Sequence, residues 1–267
     1  MPIPTQRLLF GPVLVALCAV AWSALVAWEL SPYANYMHEE PLGVPALACS
    51  RPAPLVHAAL FVGGWVLMTV AMMLPTTLPL VTVFARLTRL RPDRALLGLL
   101  LVAGYLVVWT AFGVAAHALY LALHSSLEGS GWLWANAWIV GALGLALAGA
   151  FQFSRLKYRC LDQCRSPLAF AVARWQGVAP RRKAFRLGVD HGLYCVGCCW
   201  ALMLLMFTFA LGSLGWMLVL AAIMAIEKNL PWGRRLSRPL GAVLFGAAAA
   251  IVAAHALAIL AGPAGIA

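Results

Sequence analysis

The sequence predicts an all-α, polytopic transmembrane bundle of about seven helices, with a cytoplasmic N-terminus and a periplasmic C-terminus. Three observations lead there. Hydrophobic residues make up 64% of the 267 and charged residues only 10%, with a mean hydropathy of +0.90, far more apolar than a soluble domain. Several apolar stretches reach the ~20 residues that a helix needs to cross a hydrocarbon core of about 30 Å. The basic residues also segregate: of the 19 Lys and Arg, all but Arg51 fall in segments that share one side when seven spans are drawn. Helices satisfy their own backbone polar groups in lipid, and no alternating strand pattern suggests a barrel.

The first span, 8 to 28, follows Arg7 and runs past Ala19-Val20-Ala21 to Trp28. That is too long for the apolar region of a typical signal peptide, so it reads as a retained anchor. An outer loop with Met37, His38, Glu39, Glu40 and Cys49 leads to the second span, 57 to 83. His57 stands at its mouth, and Pro75 and Pro79 are expected to break or kink it and free backbone carbonyls. A basic inner turn, 84 to 95, precedes the third span, 96 to 122, with His117 and His124 near its outer end. The fourth span is 134 to 154. The longest inner loop, 155 to 186, holds nine Lys or Arg, among them Arg181-Arg182-Lys183, and is expected to lie on the anionic membrane face. The fifth, sixth and seventh spans are 187 to 211, 214 to 229 and 239 to 261, the last two separated by the basic loop 228 to 238.

This partition follows the positive-inside rule and points to a bacterial inner membrane, with residues 1–267 as one integral membrane domain. Glu29, Glu39, Glu40 and Glu128 collect outside. A net charge of +11 could suggest nucleic acid, but no aromatic interleaving or recognition motif accompanies it. The lipid bilayer is the expected partner, and nucleic acid is not. The oligomeric state leaves no signal in the sequence.

Of the seven cysteines, Cys18 reads as a small buried residue, and five cluster toward the inner side. Cys160 and Cys164 follow the fourth span; Cys195, Cys198 and Cys199 lie two to three turns into the fifth. A reducing compartment on that side argues for metal binding or redox chemistry over structural disulfides. Helical periodicity brings residues three, four, seven and eight apart onto one face, so His191, Cys195, Cys198, Cys199 and Met206 fall on a single stripe of the fifth span. Thiolates and imidazole suit Cu(I), with Zn(II) also possible. Met68 and Met72 in the second span and Met206 in the fifth tilt the choice to copper, since thioethers bind Cu(I) and scarcely bind Zn(II). Against this stand packing roles for Cys and Met between membrane helices, with Gly192 and Gly197 marking close helix approach. Asp190 and Glu227 are the candidates for a proton or ion path, Glu227 alternatively an interfacial ion-paired residue. His255 is expected to be packed and hydrogen-bonded. The spacing leaves open whether the inner cysteines form one site or two, because Cys160 and Cys164 could sit in the headgroup region while the others lie roughly 10 to 15 Å deep.

The runs MTVAMMLPTTLP from Met68, KYRCLDQCRSP from Lys157, and DHGLYCVGCCWALM followed by EKNLPWG resemble the prokaryotic family of predicted metal-binding integral membrane proteins, domain of unknown function 2182. The resemblance spans residues 57–240. It implies a multi-pass membrane protein that binds metal, with Cys160, Cys164, Cys195, Cys198 and Cys199 as matching positions, and it names no reaction and no catalytic residue.

The sequence thus leads to a copper-handling membrane protein, a transporter or membrane chaperone for Cu(I), with a metal chaperone or metalloenzyme as possible partner. No nucleotide-binding loop or ATPase element is present to drive pumping. Two rival readings stand beside it. One is a membrane thiol-disulfide oxidoreductase using Cys195 and Cys198; the other is an accessory subunit for assembly of a metalloenzyme.

Overall fold

The computed structural model describes residues 10–31, 54–132, 136–175, 179–207 and 214–261. Arg7, Cys49, Arg51 and the Met37-His38-Glu39-Glu40 group lie outside these, as do the side chains of His57 and Glu128. Ten α-helices and no strand occur among the described residues: α1 (Phe10–Glu29), α2 (Pro54–Met72), α3 (Leu78–Leu87), α4 (Arg94–Glu128), α5 (Trp138–Gln152), α6 (Arg155–Arg165), α7 (Pro167–Arg174), α8 (Pro180–Leu204), α9 (Leu214–Asn229) and α10 (Ser237–Ala261). The protein is an all-α helical bundle.

Each segment expected to span is largely helical where it is described, but the helices differ in reach. Among the described residues, three are long and apolar enough to cross a membrane, and up to five if each of two bent pairs is one span. The bent pairs are α2 with the stretch from Pro75 through α3, at 45°, and α5 with α6, at 62°. Helix α9, of 16 residues, covers only about 24 Å at ~1.5 Å per residue, short of a full core. Large apolar side chains such as Leu99, Val107, Val243 and Leu257 face outward, as they do on helices solvated by lipid tails rather than water.

The break after α2 follows from its prolines. Pro75 has no N–H to give the Ala71 carbonyl, and Leu74 N–H turns to Thr69 O (3.1 Å) instead of Val70 O. Both freed carbonyls are taken by α1: Trp22 Nε1 donates to Ala71 O at 3.1 Å, and Cys18 Sγ to Val70 O at 3.6 Å. The carbonyl of Met73 accepts the Tyr105 hydroxyl of α4 at 3.4 Å. The expectation that this break frees carbonyls holds, and so does the buried reading of Cys18.

Helices α4 and α8 form the central crossing. Its closeness depends on glycine: a Cβ on Gly104 would meet the backbone of Phe185 and Val189, and one on Gly188 the backbone of Leu101 and Tyr105, the small-residue approach seen between membrane helices. Helix α5 packs along α10, where Gly149 faces the Gly241 carbonyl. His255 of α10 stacks on Trp138 (4.2 Å) and its Nδ1 lies 2.9 Å from Ile251 O, packed and hydrogen-bonded as expected.

The region 155 to 186 departs from expectation. Its described residues form helices rather than a loop: α6 and α7 fold back, and α6 packs against α8 and α9. Lys157, Cys160 and Leu161 are buried. Two residues counted as loop cations, Lys157 and Lys228, are thus interior. Lys157, Cys160, Leu161 and Cys164 recur every third or fourth residue, a face that packs inward once α6 turns 62° from α5.

Candidate functional site

The α8 stripe forms as its spacing predicts. His191, Cys195, Cys198 and Cys199 are all buried, the three cysteines at 1% exposure. Cys195 Sγ is the centre of the contacts. It receives the Lys228 ammonium of α9 at 2.9 Å and lies 3.1 Å from the Tyr105 hydroxyl of α4. Lys228 Nζ also reaches Met73 Sδ at 3.7 Å and Cys199 Sγ at 3.9 Å. The Cys198 and Cys199 thiols turn back onto their own helix, donating to Cys195 O at 3.1 and 3.0 Å.

Helix α6 supplies the other two sulfurs. Cys164 lies near enough to Cys195 and Cys198 to interact with both electrostatically, and Cys160 sits so close to Gly197 that a Cβ there would be 2.7 Å from its Sγ. The five inner cysteines therefore share one region. The bend of 62° between α5 and α6 turns Cys160 toward α8.

His191 lies one turn before Cys195, between the Tyr105 ring (5.9 Å) and the edge of Phe170 (5.5 Å). Its Nδ1 is buried with no hydrogen-bond partner, a state that burial makes costly. Met68, Met72 and Met206 are core residues at 1–2% exposure; the thioether that reaches the polar cluster is Met73. Asp190 is half-buried and paired with Arg174 at 3.2 Å, whose guanidinium lies 3.9 Å over the Phe170 ring. Glu227 takes the ion-paired role: Lys157 Nζ donates to both its oxygens at 2.8 and 2.9 Å, Ser237 Oγ donates to it at 2.7 Å, and Lys157 also bonds Gln152. The pair is buried inside the protein.

Among the described residues, no three His, Cys, Asp or Glu side chains converge in an arrangement that could hold a metal ion. Two thiols of α8 are bonded to a backbone carbonyl and the third sulfur to an ammonium. The donor set itself suits a soft monovalent ion, with thiols, a thioether and an imidazole nitrogen that has no other partner.

Sequence reasoning missed Lys228, Tyr105 and Lys157. A signal for Lys228 was present, since Met217, Leu220, Met224 and Lys228 are all buried and fall at helical spacing on one face. Counting Lys228 with the following arginines hid it.

Comparison with known proteins gives one family and no individual relative. No curated protein and no solved structure matches the chain. A family model described as "PpoB2: Copper chaperone" matches residues 62–251, which takes in α3 through α9 complete and all five inner cysteines. The chain belongs to the PpoB2 copper chaperone family.

Proposed function

We propose that the protein is a membrane-embedded copper chaperone that takes Cu(I) as cargo on the cysteines shared by α6 and α8. The observation that supports this most is the packing of Cys160 of α6 against α8 at Gly197, beside the buried Cys195, Cys198 and Cys199, inside a chain of the copper chaperone family. Cys199, Cys160, His191 and the thioether of Met73 stand close by as further donors, while Met68, Met72 and Met206 extend the soft lining. Membership of the metal-binding membrane family that the sequence resembles fits the same reading. So does a seven-span, N-in placement in a bacterial inner membrane, which would put the basic end and the cysteines on the cytoplasmic side. A chaperone role is favoured over transport by the family description, and delivery would be to a metalloenzyme or another metal carrier.

Asp190 and Glu227 sit in ion pairs with Arg174 and Lys157, which favours structural roles for them over a proton path. The test is elemental analysis of anaerobically purified protein after growth with copper and, separately, zinc, beside the Cys195→Ser/Cys198→Ser/Cys199→Ser variant. Near-stoichiometric copper in the wild type that vanishes in the variant is the expected result. Equal, negligible metal in both overturns the reading. Reversible disulfide formation between Cys195 and Cys198 would then favour thiol-disulfide exchange, and lost activity of a partner enzyme an assembly role.

A further inference from the structure

Lys228 is a buried cation whose nearest partners are sulfurs rather than a carboxylate. Its exposure is 5%, and its ammonium contacts Cys195, Cys199 and Met73. The neighbouring carboxylate, Glu227, is committed to Lys157 and Ser237 on the other side of α9. Among the described residues, Lys157, Glu227 and Lys228 are the buried Asp, Glu, Lys and Arg side chains. The first two cancel, so one positive charge is left over at the cysteines. An uncompensated charge at membrane depth is expensive, and such residues mark ion sites.

We propose that Lys228 sets the charge of the cargo, so that the site accepts a monovalent soft ion on two thiolates and rejects a divalent one. This rests on the copper reading above. Two thiolates and Cu(I) sum to minus one, and the Lys228 ammonium brings the buried total to zero. Two thiolates and Zn(II) are already neutral, and the same ammonium leaves the buried total at plus one. Cys195, the sulfur that the ammonium and the Tyr105 hydroxyl both touch, is one of the two thiolates. Cys198, three residues on along the same helix with its thiol on the Cys195 carbonyl, or the neighbouring Cys164 of α6, is the other. Met73 adds a soft donor without charge, which again suits Cu(I) over Zn(II). Lys228 is a specificity-determining residue in this scheme and need not bind the ion.

The experiment measures Cu(I) and Zn(II) affinities by chelator competition on the full-length protein in detergent, anaerobically, for wild type, Lys228→Met and Lys228→Arg. Lys228→Met should weaken Cu(I) binding by roughly a hundredfold or more, the scale expected for stripping a buried charge of its partner. Zn(II) binding should hold or strengthen, and Lys228→Arg should keep the wild-type preference. A Lys228→Met variant that keeps the Cu(I) over Zn(II) ratio overturns this proposal while leaving the copper reading intact. A wild type that binds no Cu(I) overturns both. Should Lys228→Met fail to fold, Ag(I) and Cd(II), soft ions of one and two charges, are compared on the wild type alone. Preference for Ag(I) supports the proposal, and equal uptake overturns it.

Discussion

Gly197 leaves open the space that the Cys160 sulfur fills, and this contact helps join α6 to α8 at the cysteine cluster. A methyl at Gly197 would stand 2.7 Å from Cys160 Sγ, so the sulfur must rotate away or α6 must shift. Gly197→Ala is therefore expected to lower stability by about 1–3 kcal/mol, the usual cost of overpacking a tight site. Removing the sulfur as well, with Cys160→Ala, should return most of it. Chemical unfolding of the two single variants and the double variant in detergent checks this, and additive losses would mean that the two residues do not touch. The sequence shows Gly197 only as a candidate for close approach, since a glycine among cysteines carries no mark of what faces it. That Cys160 faces it depends on how sharply α6 turns from α5, a tertiary fact. The stripe of His191, Cys195, Cys198 and Cys199 was legible because these four lie on one helix, where the periodicity of the helix alone decides which residues share a face. Tyr105 was not, because a tyrosine in an apolar span looks alike whether its hydroxyl meets a sulfur or a carbonyl.

At the scale of elements, the crossing of α4 and α8 fixes where Tyr105 stands relative to Cys195. A Cβ on Gly188 would run into the Leu101 carbonyl, with Leu101 C at 2.8 Å and Tyr105 N at 3.0 Å. Backbone on a packed helix cannot swing aside as a side chain can. Gly188→Ala should therefore force the helices apart and destabilise the protein by about 3 kcal/mol. Gly246→Ala in α10, where a Cβ meets nothing within 4 Å, should be neutral or stabilising by up to about 1 kcal/mol on helix propensity. Thermal unfolding of the two variants side by side checks the contrast; equal effects would remove the α4–α8 contact as its cause. The helices themselves were legible in hydropathy, which registers length and apolar content. The fold-back of α6 and α7 was not, because their basic residues dominate composition while a narrow inward face holds Lys157, Cys160 and Leu161.

Across the whole molecule, one buried ion pair ties distant parts of the chain together. Lys157 and Glu227, at 0% and 3% side-chain exposure, meet at 2.8 Å. Ser237 of α10 and Gln152 of α5 join them, while Arg165 of α6 donates to the Glu227 and Pro231 carbonyls at 2.5 and 2.9 Å. Glu227→Gln alone would strand the Lys157 ammonium inside the bundle, at an expected cost of about 3–5 kcal/mol. Adding Lys157→Met should restore much of the stability, since a well-packed apolar replacement of both charges is often neutral. Denaturation midpoints for the single and double variants check this, and a double variant no better than the single would show that the pair is not the unit. The burial of the α8 cysteines, at 1% exposure, has a kinetic meaning. A sulfur that solvent does not touch can exchange what it holds only as often as the helices above it part. Residence time then belongs to the protein's own breathing rather than to the concentration of any acceptor outside, and an acceptor shortens it only by docking and holding the opening apart.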